Sequence, residues 1–265
     1  MKTAILATLA LAFCFGEGVG AEPNVRQSAV AVLDKHGDVL ATVKMTVVQR
    51  TLMDGKEVHK IEHAIEITGT VIDKEGTVAI SASAMDFLPG LAPSAVTLEG
   101  VKTEFESKDT QLVFAGNRKV AAQFLGRDEA RDLAFLKPTK NLEQAPHISF
   151  NQPPDLQTAD SVIVLYPLTR LLHRRPAVAL CSIAAIAKEK QKFAVIDRSE
   201  LRLLGCPVFN AAGQPVGIAT TLRQRQEPHV FLSNFENMEP DIVVMDVTEI
   251  KKALTGLADK VKPRK

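Results

Sequence analysis

His59-Lys-Ile-Glu62-His63 has the H-x-x-E-H spacing that, on a helix, turns two imidazoles toward one zinc ion and leaves a carboxylate as base. The motif leads into Ile61–Ile67, which alternates like a strand, and residues four apart in a strand are about 13 Å distant. The expectation is therefore a polar strand edge, with no metal and no cofactor. The chain has three cysteines, Cys14, Cys181 and Cys206. A thiol attacks only as thiolate, with a base such as histidine beside it. In an oxidising compartment Cys181 and Cys206 can instead pair, or serve as small buried hydrophobes. Pro167–Pro176 sets Arg170, Arg174 and Arg175 around Leu168, Leu171 and Leu172, a loop able to grip an acidic or C-terminal carboxylate partner or simply to sit solvated. Met85–Pro93 carries Phe87, Leu88 and Leu91 between turn formers, either a partner-binding rim or a local plug.

The elements that must carry these groups are short strands. From residue 26 onward apolar or alternating runs stop at turn signals. Ser28–Leu33 meets Asp34-Lys-His-Gly37, and Val39–Val48 meets the polar stretch Gln49–Lys60. Ile61–Ile72, Thr77–Ser81, Gln111–Phe114 and Val120–Leu125 follow. Beyond the joint at Asn151-Gln-Pro-Pro154 the style recurs in Ser161–Leu165, Ala177–Ala187, Lys192–Ile196, Pro207–Phe209, Val216–Thr221 and Asp241–Val247. Such spacing predicts an all-β sandwich or barrel. Only Val247–Leu257, with Ile250, Leu254 and Leu257 on one stripe, reads as helix. Residues 258–265 read as a frayed basic tail.

Composition excludes several roles. Among 265 residues, 32 Lys+Arg offset 31 Asp+Glu, so there is no global charge to hold nucleic acid or an anionic membrane. With 12 Phe, 1 Tyr and no Trp, stacking platforms are scarce. At the start, Lys2, the apolar run from Ala4 to Phe15 and the small residues Val19-Gly20-Ala21 form the pattern of a secretory leader cut after Ala21. No later run is long enough to span a bilayer. The expectation is an exported chain, periplasmic or secreted, with no integral membrane segment after cleavage.

Three segments in order carry a resemblance. Gly69-Thr-Val-Ile-Asp-Lys-Glu-Gly-Thr-Val-Ala-Ile-Ser-Ala-Ser83 is similar to G-x-V-I-x-x-x-G-x-I-L-T-N-x-H. Gly126-Arg-Asp-Glu-Ala-Arg-Asp132-Leu-Ala-Phe-Leu-Lys137 is similar to G-x-D-x-x-x-D-L-A-V-L-K. Leu204-Gly-Cys-Pro207-Val-Phe-Asn-Ala-Ala-Gly213-Gln-Pro-Val-Gly217-Ile is similar to S-G-G-P-L-x-N-x-x-G-x-V-I-G-I. Together they resemble the HtrA/Deg-type branch of the trypsin-like serine proteases over about residues 26–257. The resemblance implies two six-stranded antiparallel β-barrels, about 26–150 and 155–257, with a cleft between them and a short C-terminal helix. It leaves no room after residue 257 for the PDZ-type domain of many relatives.

The departures bear on chemistry. Ser83 stands where the family has its catalytic His, Leu204 where it has the nucleophilic Ser, and Arg202 where a Gly helps form the oxyanion hole. Only the triad Asp has a counterpart, Asp132. Leucine has no atom with which to attack, and losing nucleophile or base alone costs on the order of 10⁶ in turnover. The resemblance also brings Cys181 close to the segment after residue 204, so that a Cys181–Cys206 disulfide and two buried free thiols both fit. The expected role is a catalytically degenerate protease homologue that binds polypeptide or a protein partner without hydrolysis. The alternatives are a peptidase with a displaced set, using Cys206 or Ser83, and a domain kept for assembly.

Overall fold

The computed structural model describes residues 24–86, 101–140, 142, 144–150, 154–188, 191–221 and 241–261. The expected leader and Phe87, Leu88 and Leu91 lie outside the described residues. Twelve strands form two closed antiparallel barrels. The first holds β1 (Leu40–Met53), β2 (Lys56–Val71), β3 (Val78–Ser81), β4 (Val101–Phe114), β5 (Arg118–Asp128) and β6 (Leu133–Pro138), in the closed order β1-β2-β3-β6-β5-β4. The second holds β7 (Ser161–Pro167), β8 (Pro176–Ala187), β9 (Phe193–Ile196), β10 (Pro207–Asn210), β11 (Pro215–Thr221) and β12 (Ile242–Asp246), in the order β10-β11-β12-β9-β8-β7. Three helices complete the described chain: α1 (Val25–His36), α2 (Ser83–Asp86) and α3 (Val247–Val261).

Strand composition follows from which faces are covered. On β6, Ala134 and Leu136 point into the first barrel while Leu133 and Phe135 join a core shared with the helices. On β7, Val162 and Val164 fill the second barrel while Ile163 and Leu165 enter the same shared core. Both faces are dry, so these strands run apolar without alternation. The shared core takes Ala29 and Val32 from α1 and Ile250, Ala253 and Leu257 from α3. α1 packs on β7 and β8 of the second barrel, and α3 reaches back to β5 and β6 of the first.

Three expectations need correction. Ser28–Leu33 is helical: Asn24 caps α1, its Oδ1 accepting from the Arg26 N–H at 3.1 Å. The polar stretch Gln49–Lys60 is not a loop. β1 and β2 continue through it as a hairpin closed at Asp54-Gly55, both with positive φ, and β4 runs beside β1 from Val101 rather than from Gln111. The third concerns the C-terminus, where α3 continues through Val261, so the basic tail begins later than residue 258.

Candidate functional site

A groove of about 390 Å³ lies between the barrels. Thr42, Ile67 and Ala84 face it from the first barrel, and Leu168, Arg170, Leu201, Arg202 and Leu204 from the second. Of the positions singled out by sequence, Arg202 and Leu204 line it, whereas Ser83 and Asp132 are buried next to the lining residue Ala84. β3 ends at Ser81 and delivers Ser83 to the start of α2; the turn before β6 delivers Asp132, held at φ 52°; β11 ends at Thr221.

Asp132 is 1% exposed and accepts from both barrels. Its Oδ1 takes the Ser83 N–H and Oγ–H, both at 2.6 Å, and its Oδ2 takes Ser81 Oγ–H at 2.6 Å and the Thr221 N–H at 3.0 Å. Thr221 Oγ lies 2.9 Å from Ser83 Oγ and 3.2 Å from Oδ2, and its one proton serves one of them at a time. A carboxylate surrounded by donors is stabilised in place. Serine chemistry interposes an imidazole between such a carboxylate and the nucleophile, whereas here Asp132 bonds Ser83 directly. Ser83 is itself buried.

The segment at the nucleophile position is closed upon itself. Leu201–Leu203 is a 3-10 turn; the Leu203 N–H donates to Glu200 O at 2.9 Å, Leu204 N–H to Leu201 O at 3.1 Å, and Cys206 N–H to Leu203 O at 3.1 Å. An oxyanion hole needs such N–H groups free and convergent. The Leu204 side chain is 4% exposed and packs with Leu203 and Cys206 into the second barrel's core. Gly205, at φ 77°, presses against the first barrel: a Cβ there would stand 2.1 Å from Thr68 O, and its own carbonyl accepts from Thr70 Oγ at 2.7 Å. The Arg202 guanidinium lies 4.8 Å from the Tyr166 ring centre and pairs with Glu200 at 2.5 Å. Hydrogen bonds from Arg198 and, against burial, from Arg202 hold the Glu200 carboxyl below the usual carboxylate range.

The arginine loop divides. Arg174, left-handed at φ 52°, ion-pairs across the groove with Glu66 on β2, which Lys44 also contacts at 2.9 Å. Burial raises the Glu66 carboxyl, but hydrogen bonds from Lys44 and Arg174 outweigh it and the net shift is downward. Arg174 thus ties the barrels together. Arg170 lines the groove, whereas Arg175 is exposed away from its lining. Beside them Leu171 is 90% exposed.

Cys181 and Cys206 are both buried free thiols, so of the two arrangements left open the structure contains the unpaired one. Burial pushes the Cys181 thiol up to about 11, Arg198 offsetting part of the effect, and pushes the Cys206 thiol up as well. Cys206 Sγ contacts Arg202 O at 3.6 Å. Neither is poised as a thiolate. His59, Glu62 and His63 all lie on β2, where Glu62 contacts Lys60 and Lys108 at 3.2 and 2.8 Å. Glu66, Tyr166, Glu200 and Thr221 escaped the sequence reading, because each acquires its role from a partner distant in the chain or from a loop with no signature of its own.

Two closed six-stranded barrels with a site at their junction define the trypsin-like double-barrel fold. A solved HtrA-type protease, AlgW in a serine-to-alanine variant with a tripeptide, matches with TM-score 0.55 and 13% identity. The match covers 86% of this chain and 63% of that one, so this chain spans less than two thirds of its neighbour's length. At that identity the likeness is one of fold. No family model and no curated protein matches the sequence. Among the described residues no helix is long and apolar enough to cross a membrane.

Proposed function

We propose that this chain is an exported, catalytically degenerate homologue of the trypsin-like proteases that holds extended polypeptide in the groove between its barrels without cutting it. The observation that carries the reading is the state of residue 204: an apolar side chain built into the core, with its N–H spent on Leu201 O. The groove suits apolar side chains along Ile67, Leu168 and Leu204, with Arg170 at its edge for a carboxylate. The neighbouring structure's tripeptide agrees with this choice of occupant.

The test pairs two assays on the purified chain. Hydrolysis of an unfolded, fluorescently labelled protein, with and without reductant, is expected to stay at the buffer blank. The Ser83→His, Leu204→Ser double variant is expected to stay there too, because replacing the two side chains does not free the Leu204 N–H. Anisotropy of a labelled extended peptide with apolar and acidic residues is expected to rise on binding, and Arg170→Glu to weaken that binding at least tenfold. Turnover by the native chain that disappears in Cys206→Ala would overturn the proposal, as would absence of peptide binding.

A further inference from the structure

The hairpin formed by the far ends of β1 and β2 extends past β3, with β4 on one side and, among the described residues, no strand on the other. β1 pairs with β4 as far as Met53↔Val101, whereas β3 pairs with β2 only at Thr70 and Val71. Among the described residues, the outer edge of β2 from Lys56 to Ala64 has no strand beside it; at Glu66 the Arg174 loop closes over it. An unpaired edge exposes a row of backbone donors and acceptors that another strand can complete. Soluble proteins usually blunt such an edge with proline or with charge. Here β2 has no proline, and its charges are of both signs: its exposed order is Lys60-Ile61-Glu62, with Ile61 37% exposed between the two charges.

That order is self-complementary. If two copies of β2 pair antiparallel about a two-fold axis through Ile61, Lys60 of each faces Glu62 of the other, Ile61 faces Ile61, and His59 faces His63. The pairing two residues to one side sets Lys60 against Lys60. The pairing two residues to the other side sets Glu62 against Glu62. One-residue slips oppose Ile61 to a charge. Opposite charges across a strand pair are favourable and like charges are not, so one register stands apart. Lys60 and Glu62 keep 44% and 43% of their side-chain surface exposed, so both remain accessible to a second copy.

We infer that the free edge of β2 is a self-association site, through which two copies join by antiparallel pairing centred on Ile61. The interface is isologous, and with fewer than ten residues from each strand it is smaller than a stable obligate one, so association is weak and concentration-dependent.

Sedimentation equilibrium of the purified chain, up to about 100 μM, tests this. The apparent mass is expected to rise toward twice that of one chain. Lys60→Glu and Glu62→Lys are each expected to remain monomeric, because each sets like charges opposite twice. Their equimolar mixture is expected to form a heterodimer, and the Lys60→Glu, Glu62→Lys double variant to dimerise again. Circular dichroism reports that all variants fold. A native chain monomeric throughout, dimers that survive both single variants, or a mixture that stays monomeric would each overturn the inference. So would an edge that captures a different polypeptide while the chain itself remains monomeric.

Discussion

Asp132 has a structural task that needs no chemistry to explain it. Its carboxylate collects protons from Ser81 and Ser83 on one barrel and Thr221 on the other, so it works as a clamp across the junction. Replacing an acceptor-only group by an amide turns one oxygen into a donor facing donors. Asp132→Asn is expected to cost about 2–4 kcal/mol, since a buried charged acceptor is lost and its donors are stranded. Thr221→Val removes one hydroxyl and leaves the backbone N–H bond intact, at about 1–2 kcal/mol. Urea denaturation midpoints read both values, and the reverse order would show that the clamp is organised around Thr221. Ser83, Asp132, Leu204 and Arg202 were legible in sequence only through the order and spacing of three segments. Thr221 was not legible, because nothing within its own strand signals a partner 89 residues away.

At the scale of elements, legibility tracked how many faces are dry. Val162–Leu165 was readable as part of a strand because both faces are buried, leaving an unbroken apolar run, whereas the equally dry Leu133–Leu136 entered the reading only inside a family-like segment. α1 was misread because Ser28-Ala-Val-Ala-Val-Leu33 is rich in β-branched residues. Only Ala29 and Val32 are buried there, while Val30 is exposed, so its helical stripe is too narrow to register. The β1–β2 extension went unseen for a different reason: β2 is exposed on both faces from Lys56 to Glu62, and a strand wet on both sides has no alternation to display. The loop between the 3-10 turn and β10 is placed by one glycine. Gly205→Ala adds a Cβ at 2.1 Å from Thr68 O in a left-handed conformation, so backbone must move. A loss of about 2–5 kcal/mol is expected, read as a thermal midpoint lowered by several degrees. An unchanged midpoint would mean that the two barrels do not meet there.

For the molecule as a whole, the helices add to the direct contacts that join the two barrels. α3 is fastened to the first barrel by Arg131, which donates to Glu249 at 2.8 Å, and Lys252 lies 2.6 Å from the same carboxylate. Burial raises the Glu249 carboxyl, but the hydrogen bonds from Lys252 and Arg131 prevail and hold it below the usual carboxylate range. A carboxylate depressed on folding contributes stability that is complete above its unfolded value and declines as the pH falls through its folded one. The stability advantage of the native chain over Glu249→Gln is therefore expected to be full near pH 7 and to shrink below about pH 4. Denaturation midpoints across that range measure it, and a gap independent of pH would show that the latch is not ionic.

The crossing of the helices also has a temporal side. α1 is the first described element to leave the ribosome, yet it docks on β7 and β8. At about 5–20 residues per second, the roughly 150 residues between the end of α1 and the end of β8 take about 8–30 s to synthesise. All six strands of the first barrel are finished within that interval. A nascent chain that has emerged as far as Pro138 and no further would hold all six strands of that barrel with its leading helix uncovered: first to be made, and among the last to be sheltered.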